Sequence, residues 1–534
     1  MAKGFTLIES NQQYVLAIDL GTSGPKVALA TLQGQIIDAE VGKSEIILLP
    51  NGGAEQDPDA WWEEIKRVTH GLLAKSVVPR ESIVAVSCTT QWSGTVPVDK
   101  EGNHLTNAIT WMDSRGAKYI PEITGGLIKI EGYGLNRLWG WIRLSGGVPD
   151  QPGKDSIAHI LYLKNEKPEI YAAAYKFLEP KDYLNMRLTG LAAASYDSIT
   201  LHWLTNNRNI NQIKYSDKLL RWTGVDRNKL PDLGKAIDVL GPIQADVAAE
   251  LGLPEEVQVI VGTPDIHSAA VGSGAVADYM AHLYVGTSSW LSCHVPFKKT
   301  DIFHKIAALP SAIPGRYLVT NEQEMAGACL RYLKENILFH ADELEQELKQ
   351  TNIYEAFDRI AEKAEAGSKG VIFTPWLHGE RAPVDDHTLR GGFHNLSLHH
   401  TREHLIRAVL EGVAYNSRWL LGHVEKFAGR EFMTINIIGG GALSNIWCQI
   451  FADVLNRPMR QMKDPIQANA RGAAILAGVA LGATTFEQAA ARTEVAREYQ
   501  PNPANRQIYD KLFASFLQIY KKNRKIYAVL NKRH

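Results

Sequence analysis

"VLAIDLGTSGPKVALA", residues 15–30, is the most informative stretch of the sequence. Apolar residues fill both flanks, and the short segment between them contains glycine, which is typical of a β-hairpin. A phosphate-binding P-loop would instead lead its glycine turn into a helix, whereas an extended apolar run follows Lys26. The pattern therefore predicts a buried hairpin whose turn region carries an acid, Asp19, together with two hydroxyls and a lysine.

The same pattern returns in the second half of the chain. "HLYVGTSSWLSCHV", residues 282–295, again places Gly-Thr-Ser between apolar strands. At 534 residues the chain exceeds the size at which a single hydrophobic core stops growing, so at least two domains are expected. Predicted strands and helices alternate, which indicates an α/β architecture. We predict one hairpin at the front of each half, with domains spanning residues 1–255 and 256–534.

Local signals place several other elements. Asp57 as N-cap and Pro58 as the first helical residue predict a helix that begins there. Ser444 is a fair N-cap for a helix that follows a triple-glycine turn. Glycines and tryptophans interleave from 116 to 153, which predicts a loop-rich insertion. The basic tail from about residue 500 is predicted to be an exposed helix whose charges face solvent.

The composition excludes several classes of protein. Lysine plus arginine (57) nearly equals aspartate plus glutamate (58), so no net field favours nucleic acid or an anionic membrane. The four cysteines lack C-x-x-C spacing, which argues against a disulfide framework and a zinc site. The start "MAKGFTLIESNQQ" has no apolar signal-peptide core, and no later apolar run is long enough to span a bilayer. We therefore expect a cytoplasmic protein without nucleic-acid or membrane partners.

The two hairpin turns carry groups that can bind phosphate. Hydroxyls and backbone N–H groups of a tight glycine turn point outward together and form an anion-binding concavity. Asp19 could carry a hydrated Mg²⁺, and Lys26 would add a cation for the phosphates. Taken singly, each turn is more often an ordinary hairpin. The duplication favours phosphate binding, because two turns facing each other across a cleft can hold a polyphosphate from both sides.

Two further features lie at predicted strand ends in the second half. Gly439, Gly440 and Gly441 form either a tight turn or a place where backbone approaches a phosphorylated ligand closely. Asp265 follows a predicted strand, where the ligand sites of α/β folds gather. It is either the N-cap of the next helix or the base that accepts a proton from a hydroxyl attacking a γ-phosphate.

Several motifs occur in the order and approximate spacing of one known family. They are "AIDLGTSGPK", "AITWMDSR", "FLEPKDYLNMRLTG", "GTPD", "VGTSSW", "PWLHGERAP", "LIRAVLEGVAY" and "GGGALSNIWCQIFADVLNRPM". With them the chain resembles the FGGY carbohydrate kinases, and among these the xylulokinases most, over about residues 14–485. The resemblance implies two actin-like, ribonuclease-H-type domains with ATP in the cleft between them. It also implies transfer of the γ-phosphoryl group of Mg·ATP to a hydroxyl of a sugar or polyol.

The resemblance assigns roles to individual residues. Asp265 aligns with the catalytic base and Asp19 with the magnesium-associated aspartate. The ATP-binding positions are Thr22, Ser23, Lys26, Gly286, Thr287, Ser288, Gly440, Gly441 and Asn445. The substrate positions are Gln91, Trp92, Ser93, Asp113 and Asp265.

The acceptor side departs from the family pattern. Many relatives have Gln-Met-His or Gln-Arg-Glu where this chain has Gln91, Trp92 and Ser93. An indole can pack on the apolar face of a sugar, but it supplies neither an imidazole nor a charged pair; the alternative is that Trp92 is a core residue. We expect a kinase of a ketopentose-like sugar. Three alternatives stay open: a kinase of another sugar, polyol or sugar acid, an actin-like ATPase without sugar chemistry, and an inactive sugar-binding regulator. A homodimer is a further expectation from the family.

Overall fold

The computed structural model describes residues 12–338 and 352–531. Residues 1–11, which belong to the start where we expect no signal peptide, lie outside the described residues. Two mixed β-sheets form the framework, and each is built on one of the two hairpins. The first sheet contains β1 (Tyr14–Gly21), β2 (Gly24–Thr31), β3 (Ile36–Val41), β4 (Ile83–Thr90), β5 (Val239–Pro242) and β6 (Gln258–Ile260). The second contains β7 (Ala281–Val285), β8 (Ser289–Val295), β9 (Thr300–Asp301), β10 (Ile306–Pro310), β11 (Tyr317–Thr320), β12 (Ile435–Ile438), β13 (Met459–Met462) and β14 (Val495–Tyr499).

The two sheets repeat one strand arrangement. The first has the order β3–β2–β1–β4–β6–β5, and the second has β11–β8–β7–β12–β13–β14, extended at its edge by β10 and β9. In each, the hairpin pairs antiparallel and its first strand pairs in parallel with a later strand, β4 or β12. The internal duplication predicted from the two Gly-Thr-Ser turns is thus confirmed, as is the α/β fold with two ribonuclease-H-type halves.

Helices surround both sheets. They are α1 (Pro58–Ala74), α2 (Ile120–Thr124), α3 (Leu135–Ser145), α4 (Ser156–Glu166), α5 (Pro168–Ala173), α6 (Pro180–Thr189), α7 (Asp217–Thr223), α8 (Ala245–Leu251), α9 (Asp265–Gly272), α10 (Gly327–Leu333), α11 (Ile353–Ala361), α12 (Arg402–Ala428), α13 (Asn445–Leu455), α14 (Ala468–Ala480), α15 (Phe486–Arg492) and α16 (Arg506–Asn531). Short strands lie at Ile47–Leu48, Ala54–Gln56, Val96–Val98, Ala108–Ile109, Lys129–Ile130, Tyr133–Gly134, Lys176–Leu178, Ala193–Ser195, Thr205–Asn206, Lys214–Tyr215, Asp232–Gly234, Ile372–Thr374 and Gly392–His394. Among the described helices, none has the length and hydropathy of a membrane-spanning segment.

The predicted helix signals are confirmed. The Asp57 carboxylate accepts from the N–H of Asp59 at the start of α1, and the Ser444 hydroxyl accepts from the N–H of Trp447 at the start of α13. The C-terminal helix α16 buries Tyr509, Leu512 and Phe516 and leaves its lysines exposed. Local capping chemistry therefore marks the starts of α1 and α13.

Helices α9 and α14 exchange between the two sheets. Helix α9 follows β6 of the first sheet, but Ile266, Ala269 and Ala270 pack with residues of the second sheet. Helix α14 follows β13 of the second sheet, and its alanines pack on β1, β2 and β4 of the first. Strand β6 (Gln258–Ile260) belongs to the first sheet although it lies within the predicted second domain, residues 256–534. The boundary between residues 255 and 256 stays a prediction.

The two exchanged helices cross at paired glycines. A Cβ at Gly472 would lie 2.0 Å from the carbonyl oxygen of Ser268, and one at Gly272 would lie 1.8 Å from that of Ala468. Only hydrogen atoms fit between the two backbones there. The crossing positions the start of α9, and hence Asp265, against both sheets.

Replacing Gly472 with alanine should destabilise the protein by about 2–3 kcal/mol, because the methyl group cannot be accommodated without moving backbone. Gly422→Ala in α12 is the matched control, since a Cβ there meets nothing within 4 Å. Replacing this exposed helical glycine with alanine should instead raise the free energy of unfolding by about 0.5–1 kcal/mol. Urea unfolding followed by tryptophan fluorescence measures both variants. Equal midpoints for the two would contradict the tight crossing.

The segment from 116 to 153 differs from the predicted loop-rich insertion. It contains α2, a two-stranded hairpin and the eleven-residue α3. Trp141 is fully buried and packs on Trp222, whereas Trp139 is exposed. The prediction was wrong because the glycines do not break the helix: Gly146 takes φ +91° at the end of α3, and Gly140 lies inside α3, where a Cβ would be 2.4 Å from the Trp222 ring. The apolar core that holds these elements comes from α4 and later residues, which the local pattern could not reveal.

This insertion also contacts the second half of the chain. The Thr300 hydroxyl donates to the carbonyl oxygen of Gly146 at 2.6 Å, and the Lys305 ammonium lies 3.2 Å from the Asp150 carboxylate. Lys305 also pairs with Asp385 at 2.8 Å. These contacts join the two halves at one end of the cleft between them.

Candidate active site

A cavity of about 1260 Å³ lies between the two halves. Its wall contains most of the residues predicted from the sequence: Asp19, Thr22, Ser23, Lys26, Gln91, Trp92, Ser93, Asp265, Thr287, Ser288 and Gly440. Gly286, Gly441 and Asp113 do not line the wall but each adjoins a wall residue in sequence, and Asn445 neither lines the wall nor adjoins a residue that does. Tertiary structure therefore brings together residues that are more than 400 positions apart in sequence.

The first hairpin places Asp19 opposite Lys26 in its register. The Lys26 ammonium lies 3.4 Å from the Asp19 carboxylate and donates to the carbonyl oxygen of Ile466 at 2.7 Å. The Asn469 side-chain amide reaches the other Asp19 oxygen at 3.5 Å, and its own Oδ1 is buried without a partner. Long contacts to Asp19 and an unpaired oxygen beside it suit a hydrated hard cation, which takes few protein ligands and keeps several waters.

The Thr22 hydroxyl points into the protein. It donates to Gln91 Oε1 at 2.9 Å and accepts from Trp111 Nε1 at 3.0 Å. Gln91 in turn donates to Gln56, whose side chain donates to the Thr22 carbonyl oxygen. Since its only proton is used, the Thr22 hydroxyl has none to donate to a phosphate, and such a contact would have to come from the backbone N–H. This network ties the first turn to the strand end that carries Gln91.

The second turn is held by backbone hydrogen bonds. The N–H of Gly286 donates to the Ser288 carbonyl oxygen at 2.9 Å, and the N–H of Gly327 donates to the Gly286 carbonyl oxygen at 2.8 Å. Thr287 is exposed, and Arg331 of α10 reaches its hydroxyl at 3.4 Å. Sequence reasoning missed Arg331, because nothing in "AGACLRYL" links it to the turn. It adds a cation to this wall of the cavity.

The triple glycine connects β12 to α13. Gly439 takes φ +90°, where a side chain would be strained, and a Cβ at Gly440 would meet nothing within 4 Å. Gly440 therefore presents open backbone to the cavity, which is compatible with the predicted approach of a ligand. Asn445 is exposed, but its Oδ1 already accepts from the Tyr499 hydroxyl at 2.7 Å. Only its amide N–H groups remain available to a ligand.

Asp265 follows β6 and is the first residue of α9, with Pro264 at the N-cap. Hydrogen bonds hold the segment between β6 and Asp265. The Lys181 ammonium and the Asn185 amide both donate to the Val261 carbonyl oxygen at 2.7 Å, and the Thr263 hydroxyl donates to the Asp197 carboxylate. Lys181 and Asn185 belong to the "PKDYLN" segment, so that motif positions the strand that delivers Asp265. The N-cap alternative is wrong, because Pro264 occupies that position.

The electrostatics of Asp265 suit a proton acceptor. Burial, reinforced by the negative charge of Asp19, raises the pKa of the Asp265 carboxyl to about 7. Its Oδ1 accepts one hydrogen bond, from the N–H of Ile266 at 2.7 Å. A carboxylate that titrates near neutrality can take a proton in one step and return it in the next.

Trp92 and Ser93 form the wall at the acceptor end. The Trp92 indole donates to the Ser198 carbonyl oxygen at 2.9 Å, and its ring meets His267 edge-on at 5.3 Å between centroids. Ser93 takes φ +64°, and its hydroxyl donates to the Lys154 carbonyl oxygen at 2.7 Å. Trp92 is half-buried and borders the cavity, so part of its ring is accessible to a ligand there.

Asp113 is not brought to the cavity wall. It is 1% exposed, and its carboxylate accepts from the Ala54 N–H at 3.0 Å and from Arg115 at 2.8 Å. Its carboxylate is therefore held among these neighbouring groups. Trp111, two residues earlier, does reach the wall and lies under the Arg381 guanidinium at 5.2 Å.

Comparisons with known proteins agree with this geometry. Models of the N-terminal and C-terminal domains of the FGGY family of carbohydrate kinases match residues 14–272 and 281–481. A xylulose kinase of Staphylococcus epidermidis is 28% identical over 97% of this chain and 99% of its own length, and a gluconokinase of Bacillus subtilis is 24% identical over 88% of each. Crystal structures of a gluconate kinase and a ligand-bound xylulose kinase of Lactobacillus acidophilus each superpose with a TM-score of 0.83, at 26% and 25% identity, over 97% of this chain and 100% of theirs. The chain belongs to the FGGY family of carbohydrate kinases, and it is a sugar kinase that uses ATP.

Proposed function

We propose that this kinase transfers the γ-phosphoryl group of ATP to a hydroxyl of a small sugar, polyol or sugar acid, with ketopentoses as the reference class. The observation that carries the proposal is the position of Asp265 in one cavity with both Gly-Thr-Ser turns. Phosphates held by the turns and a hydroxyl beside Asp265 would place the reacting groups in line. The names of the xylulose kinases among the relatives support the ketopentose reference.

Each residue has a defined task in this proposal. Asp265 accepts the proton of the attacking hydroxyl, which its pKa of about 7 permits at neutral pH. Backbone N–H groups of the two turns, with Lys26, bind the phosphates and stabilise the charge that spreads over them during transfer. The assignment of these residues rests on cavity geometry and on the motif resemblance together.

Asp19 and Asn469 are the residues that would hold Mg²⁺. The loosely engaged Asp19 carboxylate and the unpaired Asn469 Oδ1 are oxygen donors of the kind that this ion prefers. When bound, the ion would neutralise charge on the transferring phosphates. Lys26, next to Asp19, would stabilise the same oxygens from the protein side.

The remaining expectations stay predictions. They are a homodimeric assembly, the absence of nucleic-acid partners, action in the cytoplasm and the domain boundary near residue 255. The actin-like ATPase without sugar chemistry is the competing function. Asp265 disfavours it, because hydrolysis alone would not need a base beside an acceptor pocket lined by Trp92 and Ser93.

An ADP-release assay over a panel of ketoses, polyols and sugar acids tests the proposal. We expect ADP release that depends on one acceptor class and saturates with it. Nucleotide turnover that is independent of every acceptor would support the ATPase instead. The position of the phosphate, read by NMR of the product, would then identify the hydroxyl.

A further inference from the structure

Lys154 is a cation of the cavity wall whose ammonium group has no protein partner. The side chain is half-buried, and among the described residues no group lies within hydrogen-bond or ion-pair distance of its Nζ. Burial, reinforced by the positive charge of Arg381, lowers its pKa. A charged group withdrawn from water without a partner is costly, and such groups are normally paired. The cavity is the side from which a partner can come.

Most neighbouring cations of the cavity wall are already paired. Lys305 lies between Asp150 and Asp385, and Arg381 is bound by Glu322 and Glu324. The acids whose charges act on Lys154 are Asp150, Glu322 and Glu324. Each is already paired with Lys305 or Arg381, so its negative charge is largely neutralised. Their attraction for Lys154 does not overcome its burial.

Lys154 lies at the acceptor end of the cavity. Its backbone carbonyl accepts the hydroxyl of Ser93, next to Trp92. The negative charge of Glu322, another wall residue, acts on both groups: it adds to the raised pKa of Asp265 and partly opposes the lowering of the Lys154 pKa. Lys154 and Asp265 line the same cavity, so one bound acceptor can face both groups.

We propose that the physiological acceptor is a sugar acid whose carboxylate binds Lys154 while a hydroxyl at its other end faces Asp265. This inference rests on the proposed kinase function and narrows its substrate class. A carboxylate supplies two things to the Lys154 ammonium: an acceptor for its hydrogen bonds, and a negative charge that balances its own positive charge. A neutral hydroxyl would supply only the first. Lys154 then determines specificity and takes no part in the proton transfer.

The test compares acceptors that differ only at one end. D-Gluconate and D-xylonate carry a carboxylate where D-glucitol and xylitol carry a hydroxymethyl group. We expect calorimetric binding in the presence of a non-hydrolysable ATP analogue to favour each acid over its alditol by at least tenfold. In Lys154→Met this ratio should fall to near one, and kcat/KM for the acid should fall about 10²-fold, chiefly through KM. Lys154→Arg should keep most of the preference.

A matched lysine separates recognition from folding. The Lys176 ammonium donates to the carbonyl oxygens of Asn228 and Leu230 at 2.8 and 2.9 Å, outside the cavity. Lys176→Met should therefore leave the acid-to-alditol ratio unchanged. Equal binding of acid and alditol by the wild-type protein, or an equal loss for both in Lys154→Met, would overturn the sugar-acid inference even if a neutral sugar is phosphorylated. Lys154-dependent binding of the acids without any ADP release would support the inference and reject the kinase function.

Discussion

Asp265→Asn should lower kcat for sugar phosphorylation by about 10²–10⁴-fold, the range commonly lost with a general base. The amide keeps the size of the side chain and can still accept from the Ile266 N–H, but it cannot take a proton. Nucleotide affinity should change little, because Asp265 belongs to α9 and to neither phosphate turn. Single-turnover kinetics with the best acceptor, together with nucleotide binding by calorimetry, measures the two quantities separately.

The pH profile gives Asp265 a second signature. Because its pKa is raised to about 7, the working carboxylate is lost as pH falls through 7, so kcat/KM should drop about tenfold per pH unit below that point. Asp278→Asn is the control, since Asp278 pairs with Arg316 at 2.8 Å away from the cavity wall. An Asp265→Asn enzyme that retains most of its rate and an acid limb near pH 7 would rule out Asp265 as the base.

Asp19→Asn should lower kcat/KM by at least about 10²-fold and weaken the dependence on Mg²⁺. The substitution removes the charge that would attract the ion and also leaves Lys26 without its nearby carboxylate. We expect raised Mg²⁺ concentrations to restore part of the rate, because the Asn469 and backbone oxygens remain. Titration of activity with Mg²⁺ at saturating ATP measures this shift.

The same variant tests the coupling between the two aspartates. The negative charge of Asp19 helps to raise the pKa of Asp265, so removing it should move the acid limb of the rate profile to lower pH. A control at Asp278 should leave the limb in place. An unchanged Mg²⁺ dependence together with an unshifted limb would refute the role of Asp19.

The two hairpins, the capped helices and the duplicated halves follow from the sequence by itself. Each depends on short-range physics: alternating burial of apolar residues, glycine in a tight turn, and a hydroxyl or carboxylate that satisfies the first N–H groups of a helix. Motif order then located Asp19 near the end of one strand and Asp265 after another, and both residues line one cavity. These features need no knowledge of which distant segment packs against them.

The contacts of the individual side chains, in contrast, depend on the completed fold. The fold directed the Thr22 hydroxyl to Gln91, placed the Asp113 carboxylate against the Ala54 N–H and, among the described residues, left Lys154 beside the cavity without a partner. It also crossed α9 with α14 at Gly272 and Gly472, which joins the two halves behind Asp265. Partners so far apart in the chain are selected by long-range packing, because a buried polar group takes whichever partner the completed fold brings within hydrogen-bond distance. No local pattern encodes that choice.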